Sequence, residues 1–278
     1  MAKTVTLHGG EAVPALGQGT WLLGEQSERR REEIETLREG IERGLTLIDT
    51  AEMYGDGSCE EMVGEALSDG WREKVFLVSK VYPHNASLKG VQEACERSLK
   101  RLKTDHLDLY LLHWMGDHPI NQTIAGFEAL QRAGKIRRWG VSNIDTDYLE
   151  EMIDAGGTEC AVNQILYNVS RRGVEFDLMP FQSKLGLPFM AYSPIEQGRL
   201  PRNGALAKVA DKHGVDPYQV ALAWVMRRPD VIAIPKASTK AHVIANAAAR
   251  DIVLDAEDLA AIDVAFPPPR RKQSLEML

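Results

Sequence analysis

The chain has 278 residues, of which 44% are hydrophobic and 26% are charged, and its formal net charge is −7. This length allows one large domain with a sizeable core, whereas the acidic balance disfavours a nucleic-acid partner, because neutralising phosphates requires a basic face. No stretch approaches 18 uninterrupted apolar residues and the first residues lack an apolar core, so we expect neither a membrane span nor a signal peptide.

The first predicted elements are a short hairpin and eight buried strands. Residues 5–7 and 12–14 flank a Gly9-Gly10 turn and predict the hairpin. Eight short apolar runs follow, and each is predicted to be a strand. The runs end near Gly19, Asp49, Lys80, His113, Asn143, Gln164, Ser193 and Lys236.

Segments of helical periodicity separate these runs. In residues 27–44, Ile34, Leu37 and Ile41 recur at three-to-four spacing, and Ser87 is a predicted N-cap for residues 87–102. Further helices are predicted at 120–133, 147–155, 215–227 and 240–249, and one more is placed within the less regular residues 166–186. Eightfold alternation predicts an α/β fold, a (β/α)8 TIM barrel with the hairpin at its bottom, as a single domain over residues 1–278.

The competing fold is a doubly wound open sheet. That fold carries Gly-x-Gly-x-x-Gly at its first turn. The nearest candidate is Gly17-Gln18-Gly19, but the next glycine is Gly24, so the spacing fails.

The cysteines are typical of an enzyme with reduced thiols, and the basic run near the N-terminus is typical of a helix surface. Cys59, Cys95 and Cys160 are scattered and form no Cys-x-x-Cys pair, which favours a cytoplasmic location over a disulfide framework or structural zinc. The run Arg29-Arg30-Arg31 lies among glutamates, and its pattern indicates a solvated helix face.

Polar residues stand at the ends of the predicted strands. Active sites of such barrels lie where the strands end, on the C-terminal face. Taken singly, Lys80 could be a solvated rim residue, His113 a core histidine, Asp49 a helix cap, and Tyr54 ordinary packing. Their joint occurrence at one barrel face favours an active site.

These four residue types suit the reduction of a carbonyl. A tyrosine phenol has an ordinary pKa of about 10, and a neighbouring ammonium lowers it. We therefore expect Lys80 to lower the pKa of Tyr54, Asp49 to hold Lys80 charged, and His113 to orient a carbonyl oxygen. The hydride must come from a cofactor, since no side chain supplies one.

Over essentially its whole length, the sequence resembles the aldo-keto reductases, and among them the bacterial methylglyoxal-reductase-like and small-aldehyde reductase members. The segments that carry this resemblance are DTAEMYG (49–55) with Lys80, LLHW (111–114), GVSN (140–143), VNQILYN (162–168), AYSPIEQGRL (191–200), IAIPKAST (232–239) with Asn246, and LGQGTW (16–21). The resemblance implies an NADP(H)-dependent aldehyde reductase, with methylglyoxal as its leading substrate and no metal.

The resemblance also implies the roles of individual residues. The catalytic residues would be Asp49, Tyr54, Lys80 and His113, and the substrate pocket would be lined by Trp21, Tyr54, His113 and Trp114. The cofactor would contact Gly19, Thr20, Asp49, Ser142, Asn143, Gln164, Tyr192, Ser193, Pro194, Gln197, Gly198, Leu200, Lys236, Ala237, Ser238, His242 and Asn246. Among these, Ser142, Asn143 and Gln164 would hold the nicotinamide carboxamide, Tyr192 would stack on its ring, and Lys236 and Ser238 would bind the adenosine 2′-phosphate.

Two positions depart from the family pattern. His242 stands where many members carry Arg, and a His is only partly charged near pH 7, so it binds a phosphate less firmly. Ala237 stands where many relatives have Ser, although Ser238 and Thr239 could compensate. The departures predict a preference for NADPH over NADH that is less strict than in many members. The tail is short, which predicts an open pocket for small aldehydes and dicarbonyls.

Three other functions compete with this interpretation. An NADPH-binding regulatory barrel, like the channel-associated members, would turn over little substrate, and the retained Asp–Tyr–Lys–His set argues against it. A Schiff-base aldolase would need a neutral Lys80 beside Asp49. A metal-dependent hydrolase would need paired ligands, whereas His113 and His118 are five residues apart. We further expect a monomer, as in the family.

Overall fold

The structure is a computed structural model that describes residues 3–201 and 204–278. It begins with the predicted hairpin, formed by β1 (Thr4–Thr6) and β2 (Ala12–Pro14), in which Val5 pairs with Val13. His8 N then donates to the carbonyl of Ala161 at 3.2 Å, just before one of the barrel strands begins. The hairpin therefore closes the N-terminal end of the barrel, as the sequence predicts.

Eight parallel strands follow in chain order around one sheet. They are β3 (Gln18–Gly19), β4 (Leu47–Asp49), β5 (Phe76–Val81), β6 (Leu107–Leu112), β7 (Ile136–Ser142), β8 (Asn163–Leu166), β9 (Phe189–Tyr192) and β10 (Val231–Ala233). Parallel bridges from Leu16 to Ala233 and from Gly19 to Lys236 join the first strand to the last. The predicted (β/α)8 fold is confirmed.

In the described residues, ten α-helices connect the strands or follow them. They are α1 (Arg30–Glu42), α2 (Ser58–Ala66), α3 (Leu88–Leu102), α4 (Ile120–Arg132), α5 (Thr146–Asp154), α6 (Leu178–Lys184), α7 (Ala205–His213), α8 (Pro217–Val225), α9 (Lys240–Ala248) and α10 (Ala256–Ala265). The seven predicted helices are all present, α6 being the one placed within residues 166–186, and Ser87 caps α3 by accepting from Gly90 N at 3.1 Å. The sequence analysis misses α2, α7 and α10, although α5, α8 and α9 are no longer than these and are predicted.

Two apolar layers place the polar strand ends. One layer lies between the strands and the helices, and the other fills the barrel. Side chains on a strand alternate between its two faces. Because Val78 and Leu111 fill the barrel interior, Lys80 and His113, each two residues further on, also face inward. The same spacing relates Leu47 to Asp49, Val162 to Gln164, and Met190 to Tyr192.

Within residues 3–201 and 204–278, no helix is both long and apolar enough to cross a membrane. Cys59, Cys95 and Cys160 are buried as free thiols.

Candidate active site

The ammonium of Lys80 joins three partners at the open end of the barrel. It lies 2.8 Å from Asp49 Oδ2, 2.9 Å from the carbonyl oxygen of Thr50 and 3.1 Å from the Tyr54 hydroxyl. Lys80 is fully buried and Asp49 is nearly so. An ammonium has three hydrogens, so these partners use every donor that Lys80 has. Sequence reasoning missed the carbonyl of Thr50, because a backbone acceptor leaves no motif.

The carboxylate of Asp49 is held on both oxygens. Lys80 occupies Oδ2, and Gln164 Nε2 donates to Oδ1 at 2.8 Å. Asp49 ends β4 and Gln164 lies on β8, so two strands remote along the chain meet here. A buried charge requires such pairing, since an isolated ionised carboxylate would be strongly destabilising.

Electrostatic interactions keep Lys80 charged. Burial alone would lower the pKa of Lys80, but the attraction of Asp49 and Tyr54 outweighs it and raises that pKa above its ordinary value. Lys80 is therefore an ammonium at neutral pH, and it is a poor nucleophile for a Schiff base.

Tyr54 follows β4 at the start of a short 3-10 turn, Tyr54–Gly57. Burial raises the pKa of Tyr54 above its ordinary value, although Lys80 opposes this rise. The expected net lowering of the Tyr54 pKa is therefore wrong, because desolvation of the phenolate exceeds the stabilisation by the ammonium. Tyr54 consequently carries its proton at neutral pH.

His113 is a neutral imidazole beside Tyr54. The two rings meet edge to face, with centroids 5.9 Å apart. Burial, with a smaller effect of Lys80, lowers the pKa of His113 to about 2. Its Nδ1 atom is buried and lacks a hydrogen-bond partner among the described residues. A bare Nδ1 avoids burying an unpaired N–H, which favours the tautomer that carries its proton on Nε2.

An aromatic wall borders this cluster. The Trp114 ring lies 4.8 Å from that of His113 and 5.8 Å from that of Tyr82, while Trp21, two residues after β3, is 40% exposed. The sequence analysis missed Tyr82 and the buried carboxylate of Glu52, which accepts from Tyr82 N at 2.8 Å. The acid between Asp49 and Tyr54 within DTAEMYG is the signal that could have found Glu52.

Three of the residues expected to contact nicotinamide meet beside His113. The Tyr192 hydroxyl donates to Asn143 Oδ1 at 2.9 Å, and Asn143 Nδ2 lies 3.2 Å from both the His113 carbonyl oxygen and Ser142 Oγ. Asn143 has a left-handed backbone with φ of 57°, which Asn tolerates better than most residues. Gln164 is linked to the same region by the hydrogen bond that it donates to Asp49.

The segment expected to run along the pyrophosphate follows β9. It holds Ser193, Pro194, Gln197, Gly198 and Leu200. Ser193, Glu196 and Gln197 all have positive φ, so the segment turns sharply. Glu196 anchors it, since its carboxylate accepts from Asn168 Nδ2 at 2.8 Å and from Arg171 Nη2 at 2.9 Å. Sequence reasoning missed these three residues, which pair across separate loops.

The segment expected to bind the 2′-phosphate follows β10 on the same rim. Gly19 pairs with Asp49 on one side and with Lys236 on the other. Thr20 Oγ1 donates to the Asp49 carbonyl oxygen at 2.9 Å. Beyond Lys236, the segment continues through Ala237 and Ser238 to Thr239, which caps α9, and the helix carries an exposed His242 and a buried Asn246.

The interpretation of Arg29-Arg30-Arg31 as one solvated face is wrong for Arg29 and for Arg30, since Arg30 is partly buried and pairs with Glu65. Arg31 is exposed, but Arg29 is half-buried, and its Nη2 lies 3.5 Å from the carbonyl oxygen of Ser238. Glu33 is buried and accepts from Gly24 N at 2.8 Å. The local charge pattern could not show that Arg29 crosses to the segment after β10.

Across the part of the chain that the structure describes, no group of three or more His, Cys, Asp or Glu residues could hold a metal ion. The arrangement instead offers a protonated phenol, an ammonium and a neutral imidazole at one point. Such a set can give a proton to an oxygen on which negative charge develops.

Comparisons with known proteins cover nearly the whole chain. The sequence profile of the Aldo/keto reductase family matches residues 15–265. The methylglyoxal reductase YeaE of Escherichia coli is 50% identical over 99% of this chain and 99% of its own, and a glyoxal reductase of Bacillus subtilis is 35% identical over 95% and 92%. A solved aldo-keto reductase from Klebsiella pneumoniae, in complex with NADPH, is 50% identical and matches with a TM-score of 0.97 over 100% of both chains.

Proposed function

The chain belongs to the aldo/keto reductase family, and on that premise we propose that it uses NADPH to reduce small aldehydes and ketones to alcohols. Methylglyoxal and related dicarbonyls are the leading substrates, since the relative from Escherichia coli is a methylglyoxal reductase. The single observation that carries the proposal is the Lys80 ammonium held between Asp49 and the Tyr54 hydroxyl.

The residues on the rim fit this cofactor by the chemistry of their donors. Ser142, Asn143 and Gln164 offer a hydroxyl and two amides for the carboxamide, and Tyr192 offers a partly exposed ring for stacking. Lys236 and the N-terminus of α9 offer positive charge for a phosphate. When bound, NADPH supplies the hydride.

Tyr54 is the proposed proton donor. Lys80 donates to the phenol oxygen and stabilises the charge that develops on it as the proton leaves. Asp49 keeps Lys80 charged and fixes its direction. His113, neutral and with its proton on Nε2, orients the carbonyl oxygen by hydrogen bonding and gives up no proton.

The proposed pocket is small and aromatic. Tyr54, His113 and Trp114 form one wall, and Trp21 lies at the mouth. Such a pocket suits substrates of a few carbon atoms, whose carbonyl oxygen must be placed by hydrogen bonds because little apolar area is available to bind them.

The competing functions gain no support. The described residues retain every group that proton transfer requires, so nothing favours a regulatory barrel without turnover. The raised pKa of Lys80 argues against a Schiff-base enzyme. We also infer one domain over residues 1–278, a monomeric assembly and a cytoplasmic location, the last supported by three free, buried cysteines.

A panel of carbonyl substrates tests the proposal. Methylglyoxal, glyoxal, a small aliphatic aldehyde and a bulky ketone are each assayed with NADPH and with NADH, following the absorbance of the reduced nicotinamide. We expect turnover of the small substrates, higher kcat/KM with NADPH, and the weakest activity on the bulky ketone. Absence of turnover with every carbonyl, despite NADPH binding, would favour the regulatory barrel instead.

A further inference from the structure

We propose that Arg29 is a specificity-determining residue that binds the 2′-phosphate of NADPH together with Lys236. This inference rests on the proposed function, because it places the adenosine 2′-phosphate at the segment after β10. Arg29 precedes α1, whereas Lys236 follows β10, so the two cations come from opposite ends of the chain. Arg29 Nη2 lies 3.5 Å from the carbonyl oxygen of Ser238, two residues beyond Lys236.

The neighbouring cationic side chains form ion pairs with carboxylates, whereas Arg29 forms none among the described residues. Arg30 pairs with Glu65 at 2.9 Å, and Arg31 and Lys240 both pair with Glu35, at 3.3 Å and 3.2 Å. Within residues 3–201 and 204–278, Arg29 forms no ion pair within 4.0 Å, and the bond to Ser238 uses only one of its five N–H donors. The remaining N–H groups are available to an anion.

Arg29 and Lys236 repel one another. Burial lowers the pKa of Lys236, and the charge of Arg29 lowers it further. Glu33 opposes this effect less strongly, and its carboxylate accepts from Gly24 N at 2.8 Å. An anion bound by both side chains would offset this repulsion, and a phosphate is the anion that the proposed cofactor brings.

Arg29 compensates for the departure of this chain from the family pattern at position 242. Where many relatives have Arg, this chain has an exposed His242, which is a weaker phosphate ligand. Arg29 supplies a permanent guanidinium from the residue that precedes α1, and a guanidinium matches a phosphate in bidentate geometry. The preference for NADPH therefore depends on Arg29 more than on His242.

Matched substitutions at the start of α1 test this inference. Dissociation constants of NADPH and NADH are measured by quenching of tryptophan fluorescence for Arg29→Met and for Arg31→Met, whose side chain is 93% exposed. We expect Arg29→Met to weaken NADPH by about tenfold or more, the loss of one charge-assisted pair, with less than a twofold change for NADH. Arg31→Met should change neither. Adding His242→Arg to Arg29→Met should restore part of the NADPH affinity.

The other outcomes separate this inference from the proposed function. Equal weakening of NADPH and NADH in Arg29→Met would mean a structural role through Ser238, and no weakening would mean no role. Either result overturns the inference while leaving NADPH-dependent reduction intact. Arg29→Lys keeps the charge and should retain intermediate affinity, which provides the test if Arg29→Met does not fold. A wild-type chain that binds neither cofactor contradicts the proposed function and this inference together.

Discussion

The Lys80 ammonium gives its third hydrogen to the Tyr54 hydroxyl, at 3.1 Å. The oxygen of Tyr54 therefore accepts from Lys80, and its own hydrogen is free to point towards another acceptor. Asp49 and the Thr50 carbonyl occupy the other two donors of Lys80, so the ammonium cannot turn away.

The pair of Lys80 and Asp49 should be strongly coupled in stability. Lys80→Met leaves Asp49 buried with only Gln164 as a partner, and we expect the free energy of unfolding to fall by about 3–5 kcal/mol. Adding Asp49→Asn removes the unpaired charge, so the double variant should be more stable than the sum of the single changes predicts, by about 1 kcal/mol or more. Urea denaturation of the four proteins measures this coupling, and strictly additive effects would contradict it.

The pH dependence of reduction should report a protonated Tyr54. Since burial raises the pKa of Tyr54, the donor form is fully present below the ordinary value of about 10 and is lost only as the pH rises through the raised pKa. We expect kcat to be flat from about pH 6 to pH 9, with no step near 6.5 from His113. A descending limb centred below about pH 9 would show that the ammonium dominates over burial.

His113 should make the fold sensitive to acid. Its pKa is lowered to about 2, so between pH 6.5 and pH 2 the unfolded chain binds a proton that the folded chain does not. Stability from neutral His113 is present above pH 6.5 and is lost as the pH falls. Between pH 7 and pH 5, the free energy of unfolding of His113→Gln should therefore fall by about 2 kcal/mol less than that of the wild type. Urea denaturation at each pH measures this difference. Identical losses would mean that His113 titrates normally in the folded state.

Lys236 should distinguish the two nicotinamide cofactors. We expect Lys236→Ala to raise the KM for NADPH by about tenfold and the KM for NADH by less than twofold, because NADH lacks the 2′-phosphate. Steady-state kinetics with both cofactors, at a saturating carbonyl, measure this ratio. Equal increases would argue against contact of Lys236 with that phosphate.

The barrel could be predicted from the sequence because strand alternation and polar strand ends are local patterns. The inward position of Lys80 and His113 follows from period-two spacing after Val78 and Leu111. The helices α2, α7 and α10 are not predicted, and their length does not explain this, because α5, α8 and α9 have nine residues each and are predicted.

The convergence of Asp49, Tyr54, Lys80 and His113 could be predicted from the sequence, but its energetics could not. The pKa of Tyr54 depends on a balance between burial and the charge of Lys80, and only the folded chain determines how far the phenol is desolvated. The position of Arg29 depends on a contact between the start of α1 and the segment after β10, which no spacing along the chain predicts.

The role of Tyr54 as the proton donor is tested most directly by Tyr54→Phe. The variant keeps the ring against His113 and removes only the hydroxyl. We expect kcat for methylglyoxal with saturating NADPH to fall by about 10²–10⁴-fold, while the dissociation constant of NADPH changes by less than about twofold. Turnover close to that of the wild type, with NADPH bound equally well, would contradict this role.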